Sequence, residues 1–138
     1  MPALDTNVLV RYLVRYDSAQ SVAARRLIQR CVKDQSTLFV PVTVTLELEW
    51  VLRSSFAHSK DETIQVLSAL FSAVELTFES EQALEVALEL YRRTPADFAD
   101  CLHIALAAHA GEPPLWTVDK RAAKVLGASL LTRTTVTP

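Results

Sequence analysis

Acidic side chains directly follow two short apolar runs of this sequence. Asp5 comes after Pro2-Ala3-Leu4, and Asp119 comes after Leu115-Trp116-Thr117-Val118. Short apolar runs next to helical patterns predict strands, and open α/β sheets bind their ligands at the carboxyl ends of the strands. A helix cap or a turn residue is the simpler explanation of each aspartate. Taken together, the two are candidates for a site that uses carboxylate chemistry.

Two further acids lie on one predicted helix. Asp97 and Asp100 are three residues apart, so they share a helix face. An N-cap explains Asp97 equally well. Asp100 is in register with Ile104 and Ala107 on a helix that is apolar nearly all round, and we therefore expect its side chain to point into the protein or into a pocket.

Glu47 and Glu49 occupy different phases of an earlier helix. Glu47 lies three residues after Val44 and four before Val51, on the apolar stripe that we expect to be buried. Glu49 lies four residues before Arg53, the spacing of an exposed ion pair. Burial of Glu47 would be costly unless a cation or a hydrogen bond compensates it.

The five acids come from four separate segments, and they would meet at one sheet edge if the strands of Asp5 and Asp119 are neighbours. Two carboxylates about 4 Å apart repel by roughly 4 kcal/mol at an effective dielectric constant of about 20. Such a cluster needs protons or a cation, and ligation by oxygen alone selects Mg²⁺ or Mn²⁺ over zinc. A carboxylate-bound ion can activate water and stabilise the charge on a phosphodiester. The acids therefore predict metal-dependent phosphodiester hydrolysis without naming the substrate.

The elements that position these acids alternate between strand and helix. This alternation predicts an α/β fold with a mostly parallel sheet covered on both faces. We expect one domain over residues 1–138, because a chain of this length can bury a single core. A break is predicted at Tyr16-Asp17-Ser18, a capping box at Ser59–Glu62 and a helix C-cap at Gly127. The five predicted strands cover residues 2–4, 37–41, 74–78, 115–118 and 129–131.

Composition limits which binding partners and which cellular compartment we expect. The net charge of −2 gives no basic excess of the kind that nucleic-acid binding usually needs, so any such role must come from a local site. Cys31 and Cys101 both fall within predicted helices, which favours a reduced cytoplasmic protein. No signal peptide is apparent, and the longest uncharged apolar stretch, Cys101–Gly111, is too short to cross a bilayer.

Four segments that carry the acids resemble the motifs of PIN-domain ribonucleases, and most of all those of VapC-type toxins from prokaryotic toxin–antitoxin pairs. The resemblance covers nearly the whole chain in order. It implies a three-layer α/β/α sandwich with about five short strands, and Mg²⁺- or Mn²⁺-dependent endonucleolytic cleavage of RNA. The segments are Leu4–Leu9, Leu46–Leu52, Ala96–His103 and Thr117–Lys120.

The resemblance also implies a role for each acid. Asp5, Glu47, Asp100 and Asp119 match the acidic quartet of the family, and Asp97 is an added acid. We expect Asp5, Asp100 and Asp119 to bind the metal, with Asp5 and Asp100 as the most direct ligands. Glu47 and Asp97 would complete the shell, partly through water.

Three polar residues match family positions that hydrogen-bond the ligands: Thr6, Asn7 and Thr117. Local capping and turn bonding explain these residues equally well. Four residues near the proposed site are better explained as solvated surface: His103, Arg11, Lys120 and Arg121. Trp50 and Trp116 are better explained as core residues.

The implied partners are an RNA substrate, a second copy of the chain in a homodimer and a small antitoxin. A catalytically inert PIN-fold module that binds RNA or protein is the alternative. A receiver or phosphatase domain is disfavoured, because the paired acids of a receiver's first strand and the Asp-x-Asp of haloacid-type phosphatases are both missing.

Overall fold

The structure is a computed structural model that describes residues 1–14 and 18–135. These residues group into two compact units, Met1–Glu81 (unit 1) and Gln82–Pro138 (unit 2). Tyr16 and Asp17, in the predicted break, lie outside the described residues. A single domain over the whole chain stays a prediction. Within the described part of the chain, none of the helices is both long and apolar enough to cross a membrane.

Among its described residues, unit 1 contains four helices and one pair of parallel strands. The strands pair in parallel, with Leu38 opposite Leu76 and Val40 opposite Phe78. Buried leucine, isoleucine and valine side chains from helices and strands form the core of this unit. In chain order the elements are α1 (Thr6–Leu13), α2 (Ala19–Asp34), β1 (Leu38–Val40), α3 (Val42–Ser54), α4 (Lys60–Phe71) and β2 (Leu76–Phe78).

The first predicted strand is reduced to a single parallel bridge between Ala3 and Phe39. Two backbone hydrogen bonds hold it: the N–H of Leu4 donates to the carbonyl of Phe39 at 2.8 Å, and the N–H of Phe39 donates to the carbonyl of Pro2 at 2.8 Å. The segment cannot extend further, because Asp5 already caps α1. Leu4 is buried, so the bridge still fixes where Asp5 emerges.

Side-chain caps set the starts of α1, α2 and α4, as their sequence indicated, whereas α3 begins after Pro41 without a side-chain capping bond. Ser18 accepts a hydrogen bond from the N–H of Ser21 at the start of α2. Ser59 and Glu62 form the predicted capping box at the start of α4. These local bonds satisfy backbone N–H groups that would otherwise lack a partner in the first helical turn.

Unit 2 carries the later acids on short elements. Its two strands pair in parallel, with Leu115 opposite Ala128 and Thr117 opposite Leu130. The rings of Tyr91 and Phe98 pack edge to face, with their centroids 5.5 Å apart. The elements are α5 (Glu81–Arg93), which begins at the last residue of unit 1, then α6 (Phe98–His109), β3 (Leu115–Thr117), α7 (Lys120–Ala123) and β4 (Ala128–Leu130).

The prediction that Gly127 caps a helix is wrong. Helix α7 ends earlier, with Lys124 at its C-cap. Gly127 instead forms the turn before β4, with a φ of +100°, and a Cβ there would lie 3.0 Å from Cγ2 of Ile104. Both the backbone conformation and the close packing therefore favour glycine at this position.

Candidate active site

Asp5 stands at the start of α1, immediately after the bridged segment. Its Oδ1 accepts a hydrogen bond from the N–H of Val8 at 3.1 Å. The side chain is exposed, and Oδ2 has no hydrogen bond to any described residue. The capping explanation is therefore correct for this residue, and the predicted strand before it is only the bridge at Ala3. The cap fixes the carboxylate while leaving one oxygen available to a ligand.

Glu47 is tied to the start of α1 through Thr6. The Thr6 hydroxyl donates a hydrogen bond to Oε1 of Glu47, which joins residues 41 positions apart in the chain. Thr6 is only 5% exposed, whereas the Glu47 side chain is exposed. Unit 1 thus places Glu47 beside the residue that follows Asp5. The role of Thr6 in orienting a metal ligand stays a prediction.

The predicted phase of α3 is wrong. Glu49, not Glu47, is buried, at 2% exposure. The Arg53 guanidinium donates two hydrogen bonds to the Glu49 carboxylate, so the predicted pairing is correct but the predicted exposure is not. The bidentate partner compensates the buried charge and lets the helix turn its Glu47 face outward. The exposed positions of α3 are Thr43, Glu47, Trp50 and Ser54.

Asp97, Asp100 and Asp119 form a group of interacting acids within unit 2. Burial first, and then the charges of Asp119 and Asp97, raise the pKa of Asp100 above its ordinary value. His103 and Arg121 act in the opposite direction. Asp100 is half-buried at the first turn of α6, as its register with Ile104 indicated. Asp97 and Asp119 therefore both lie close enough to Asp100 to disfavour its ionised form.

Asp119 is held at the start of α7 by backbone hydrogen bonds. Its Oδ1 accepts from the N–H of Arg121 at 2.8 Å and from the N–H of Ala122 at 3.1 Å. These bonds lower the pKa of Asp119, with a smaller contribution from the Arg121 charge. The N–H of Asp119 in turn donates to Oγ1 of Thr117 at 3.0 Å. Thr117 therefore fixes the backbone that carries the acid.

Asp97 occupies the N-cap position of α6 without a side-chain capping bond. Its carboxylate is exposed and contributes to the raised pKa of Asp100. Capping therefore does not account for this side chain. His103 is also exposed, as expected for a surface residue. The prediction that Trp50 and Trp116 belong to the core is wrong, because their side chains are 59% and 49% exposed.

The arrangement and the chemistry of the acids bear on whether they can bind a divalent cation. Across residues 1–14 and 18–135, no group of three or more His, Cys, Asp and Glu side chains is positioned to hold a metal ion. Mg²⁺, however, is usually held by one or two carboxylates together with water, and carboxylate oxygen is the ligand it prefers. A cation would also relieve the repulsion that raises the pKa of Asp100. The chemistry of these donors therefore fits Mg²⁺ or Mn²⁺.

A groove beside Asp5 is the feature that sequence reasoning missed. It lies between α1 and α2, has a volume of about 480 Å³ and is lined in part by Asp5, Asn7, Arg11 and Gln20. Arg11 and Gln20 meet across it, although they are nine residues apart on different helices. No periodicity within either helix indicates that pairing. Asn7, near Asp5 in the sequence region that starts α1, also lines this groove.

Comparison with known proteins gives two findings. A family model described as PIN domain matches residues 3–127, a range that includes all five candidate acids. A curated relative, the VapC ribonuclease of Aquifex aeolicus (strain VF5), is 23% identical over 111 residues, which cover 80% of this chain and 82% of that protein. These findings confirm the resemblance to PIN domains of the VapC type and the α/β fold class.

Proposed function

Because this chain belongs to the PIN-domain family, we propose that it is a divalent-metal-dependent endoribonuclease and the toxin of a toxin–antitoxin pair. The observation that supports the proposal most is the group formed by Asp97 and Asp100 at the start of α6 and Asp119 at the start of α7. Burial first, and then the charges of Asp119 and Asp97, raise the pKa of Asp100. A divalent cation is the partner that such a group lacks. The ribonuclease name of the Aquifex aeolicus relative supports RNA as the substrate.

We assign Mg²⁺ or Mn²⁺ as the cofactor and five acids to the reaction. Asp5, Asp100 and Asp119 would hold the ion, and Glu47 and Asp97 would complete its shell, partly through water. When bound, such an ion lowers the pKa of water and offsets the charge that develops on the phosphodiester.

The chain itself orients these acids before any ligand arrives. The Thr6 hydroxyl holds Oε1 of Glu47. Backbone N–H groups hold Oδ1 of Asp5 and Oδ1 of Asp119, so that each cap uses one oxygen of the carboxylate. Thr117 fixes the backbone of Asp119. Ligands fixed in this way need little rearrangement on binding, which favours catalysis by preorganisation.

A toxin function implies binding partners and a cellular compartment. We propose a small antitoxin as the inhibitor, a homodimer as the assembly and the cytoplasm as the location. A groove of about 420 Å³ among α1, α2 and α4 supports the antitoxin proposal, because its lining is mostly apolar, as an amphipathic peptide requires. Its lining includes Tyr12, Leu13, Val66, Ala69 and Leu70.

RNA cleavage by the purified protein tests the proposal. We expect cleavage that depends on Mn²⁺ or Mg²⁺, and a loss of at least about 100-fold in Asp5→Asn and in Asp100→Asn with the fold intact. Asp34→Asn is the matched control, because Asp34 is exposed at the end of α2. Full Mn²⁺-stimulated activity in either active-site variant would remove that residue from the site. A wild-type protein that cuts no RNA with either ion would refute the proposed function.

The inert alternative has one observation in its favour. Among the described residues, no three candidate ligands are preassembled around one point. An inert RNA- or protein-binding module predicts that Mn²⁺ leaves the thermal unfolding temperature unchanged. The nuclease proposal predicts that saturating Mn²⁺ raises it, because an ion that binds only the folded state stabilises that state.

A further inference from the structure

The groove between α1 and α2 begins at the Asp5 carboxylate. Its polar lining includes Asp5, Arg11 and Gln20, and its apolar lining includes Ala23 and Leu27. A volume of about 480 Å³ lies within the range of sites that bind small molecules, roughly 300–1,000 Å³. All of these residues belong to unit 1. A ligand seated here reaches Asp5.

The apolar residues of the groove are part of the helical stripe of α2, but they are not covered. Ala24, Ile28 and Cys31 of that stripe are buried in the core. Ala23 is exposed, and Leu27 is 38% exposed. The helix therefore turns part of its apolar surface toward the groove, where a flat apolar ligand could lie.

Arg11 and Gln20 give the groove its hydrogen-bonding character. Nε of Arg11 donates to Oε1 of Gln20 at 2.8 Å. A guanidinium has five N–H donors, and among the described residues only Gln20 accepts from one of them, so the group can also bind an anion such as a phosphate. Because this bond identifies the Gln20 oxygen as the acceptor, the amide NH₂ group is left to donate to another acceptor. The groove thus combines a phosphate-binding cation, an oriented amide donor and an apolar surface.

These features match the parts of a single-stranded nucleotide. We infer that the groove binds the nucleotide next to the scissile phosphate and sets which RNA sequence is cut, an inference that rests on the proposed nuclease function. The base lies against Ala23 and Leu27 and accepts a hydrogen bond from the amide of Gln20. Arg11 binds the adjoining phosphate, and this contact directs the RNA strand toward Asp5. Sequence-specific RNA recognition commonly uses unstacked bases that are held in this way.

Two matched pairs of variants on α2 test the inference. Gln20→Ala removes the amide donor, and Gln29→Ala makes the same change at an exposed position outside the groove. Ala23→Trp fills the groove, and Val32→Trp adds the same ring at an exposed position that does not line it. The readouts are the bases at the ends of fragments from a randomised RNA pool, KM and kcat on one preferred RNA, and Mn²⁺ affinity.

We expect Gln20→Ala to broaden the base preference at one position beside the cut and to raise KM by about five- to tenfold, as the loss of one hydrogen bond predicts. Ala23→Trp should raise KM further. Mn²⁺ affinity should match the wild type in both variants, because neither residue is an acid. The control variants should keep the wild-type fragment ends and KM.

Three results would overturn the inference. Unchanged fragment ends in Gln20→Ala together with an unchanged KM in Ala23→Trp would refute the nucleotide subsite while the nuclease activity stands. Ala23→Trp that cuts RNA normally but escapes inhibition by the antitoxin would assign the groove to a protein instead. Absence of cleavage by the wild-type protein would refute the proposed function, and the subsite with it.

Discussion

Replacing Thr6 with valine removes the hydroxyl that holds Glu47 while keeping the side chain's shape. Thr6 is 5% exposed, so the change leaves no cavity and adds one buried methyl group. A hydrogen bond to a charged group contributes about 1.5–3 kcal/mol, and the exposed Glu47 carboxylate can recover part of this from water. We therefore expect Thr6→Val to lower the free energy of unfolding by about 1 kcal/mol, or Tm by about 3 °C.

The effect on cleavage should be larger than the effect on stability. A residue that orients a ligand usually contributes about 10- to 100-fold to metal affinity or activity. Single-turnover cleavage with saturating Mn²⁺ measures this effect, and thermal unfolding measures the stability. Thr63→Val is the matched control: the buried Thr63 hydroxyl donates to the carbonyl of Ser59 at 2.8 Å and touches no acid of the site. It should lose similar stability and keep its activity.

Thr6→Ser should keep most of the activity, because the hydroxyl is retained. Wild-type cleavage and Mn²⁺ affinity in Thr6→Val would refute the reasoning, since Thr6 would then not position Glu47 or Glu47 would not act. A loss of cleavage in Thr63→Val equal to that in Thr6→Val would also refute it, because the effect would then follow stability alone.

Two further predictions concern charge. Arg53→Met leaves the Glu49 carboxylate buried without its bidentate partner. We expect it to lower the free energy of unfolding, measured in urea, by about 3 kcal/mol. A loss below about 1 kcal/mol would mean that the pair behaves like an exposed ion pair. Asp100→Asn should stabilise the metal-free protein at neutral pH, because burial and neighbouring carboxylates raise the pKa of Asp100 and its ionised form opposes folding. The difference in the free energy of unfolding between variant and wild type grows as pH rises from the ordinary aspartate pKa through the raised pKa of Asp100. It vanishes at a pH below the ordinary aspartate pKa. Equal stability of variant and wild type at all pH values would contradict this prediction.

Local signals predicted most of the elements, because each depends on neighbouring residues alone. Ser59 and Glu62 are three residues apart and form their capping box without help from the rest of the chain. The positions of Asp5 and Asp119 after apolar runs were equally readable, since both residues cap the helices that follow. Capping and availability to a ligand are compatible in these two residues, because each cap uses one carboxylate oxygen.

The sequence patterns give wrong or missing predictions where packing between elements decides which side chains are buried and where grooves form. The apolar stripe on α3 indicates that Glu47 is buried, but the packed helix buries Glu49, and Arg53 on the same helix compensates its charge. Trp50 then falls on the exposed face with Glu47, although its size and apolar character indicated core. The groove between α1 and α2 depends on a contact between two helices, and no pattern within one helix reveals it. Side-chain pairing across elements is the information that periodicity lacks.

Mn²⁺ binding to four proteins tests most directly the central claim that acids of different segments hold one ion. The proteins are the wild type, Asp5→Asn, Asp100→Asn and the double variant, with free Mn²⁺ followed by electron paramagnetic resonance. The account predicts that each single change weakens binding by at least about tenfold, and that the double change departs from the product of the two, since groups that share an ion are coupled. Wild-type affinity in either single variant, or two effects that simply multiply, would contradict it.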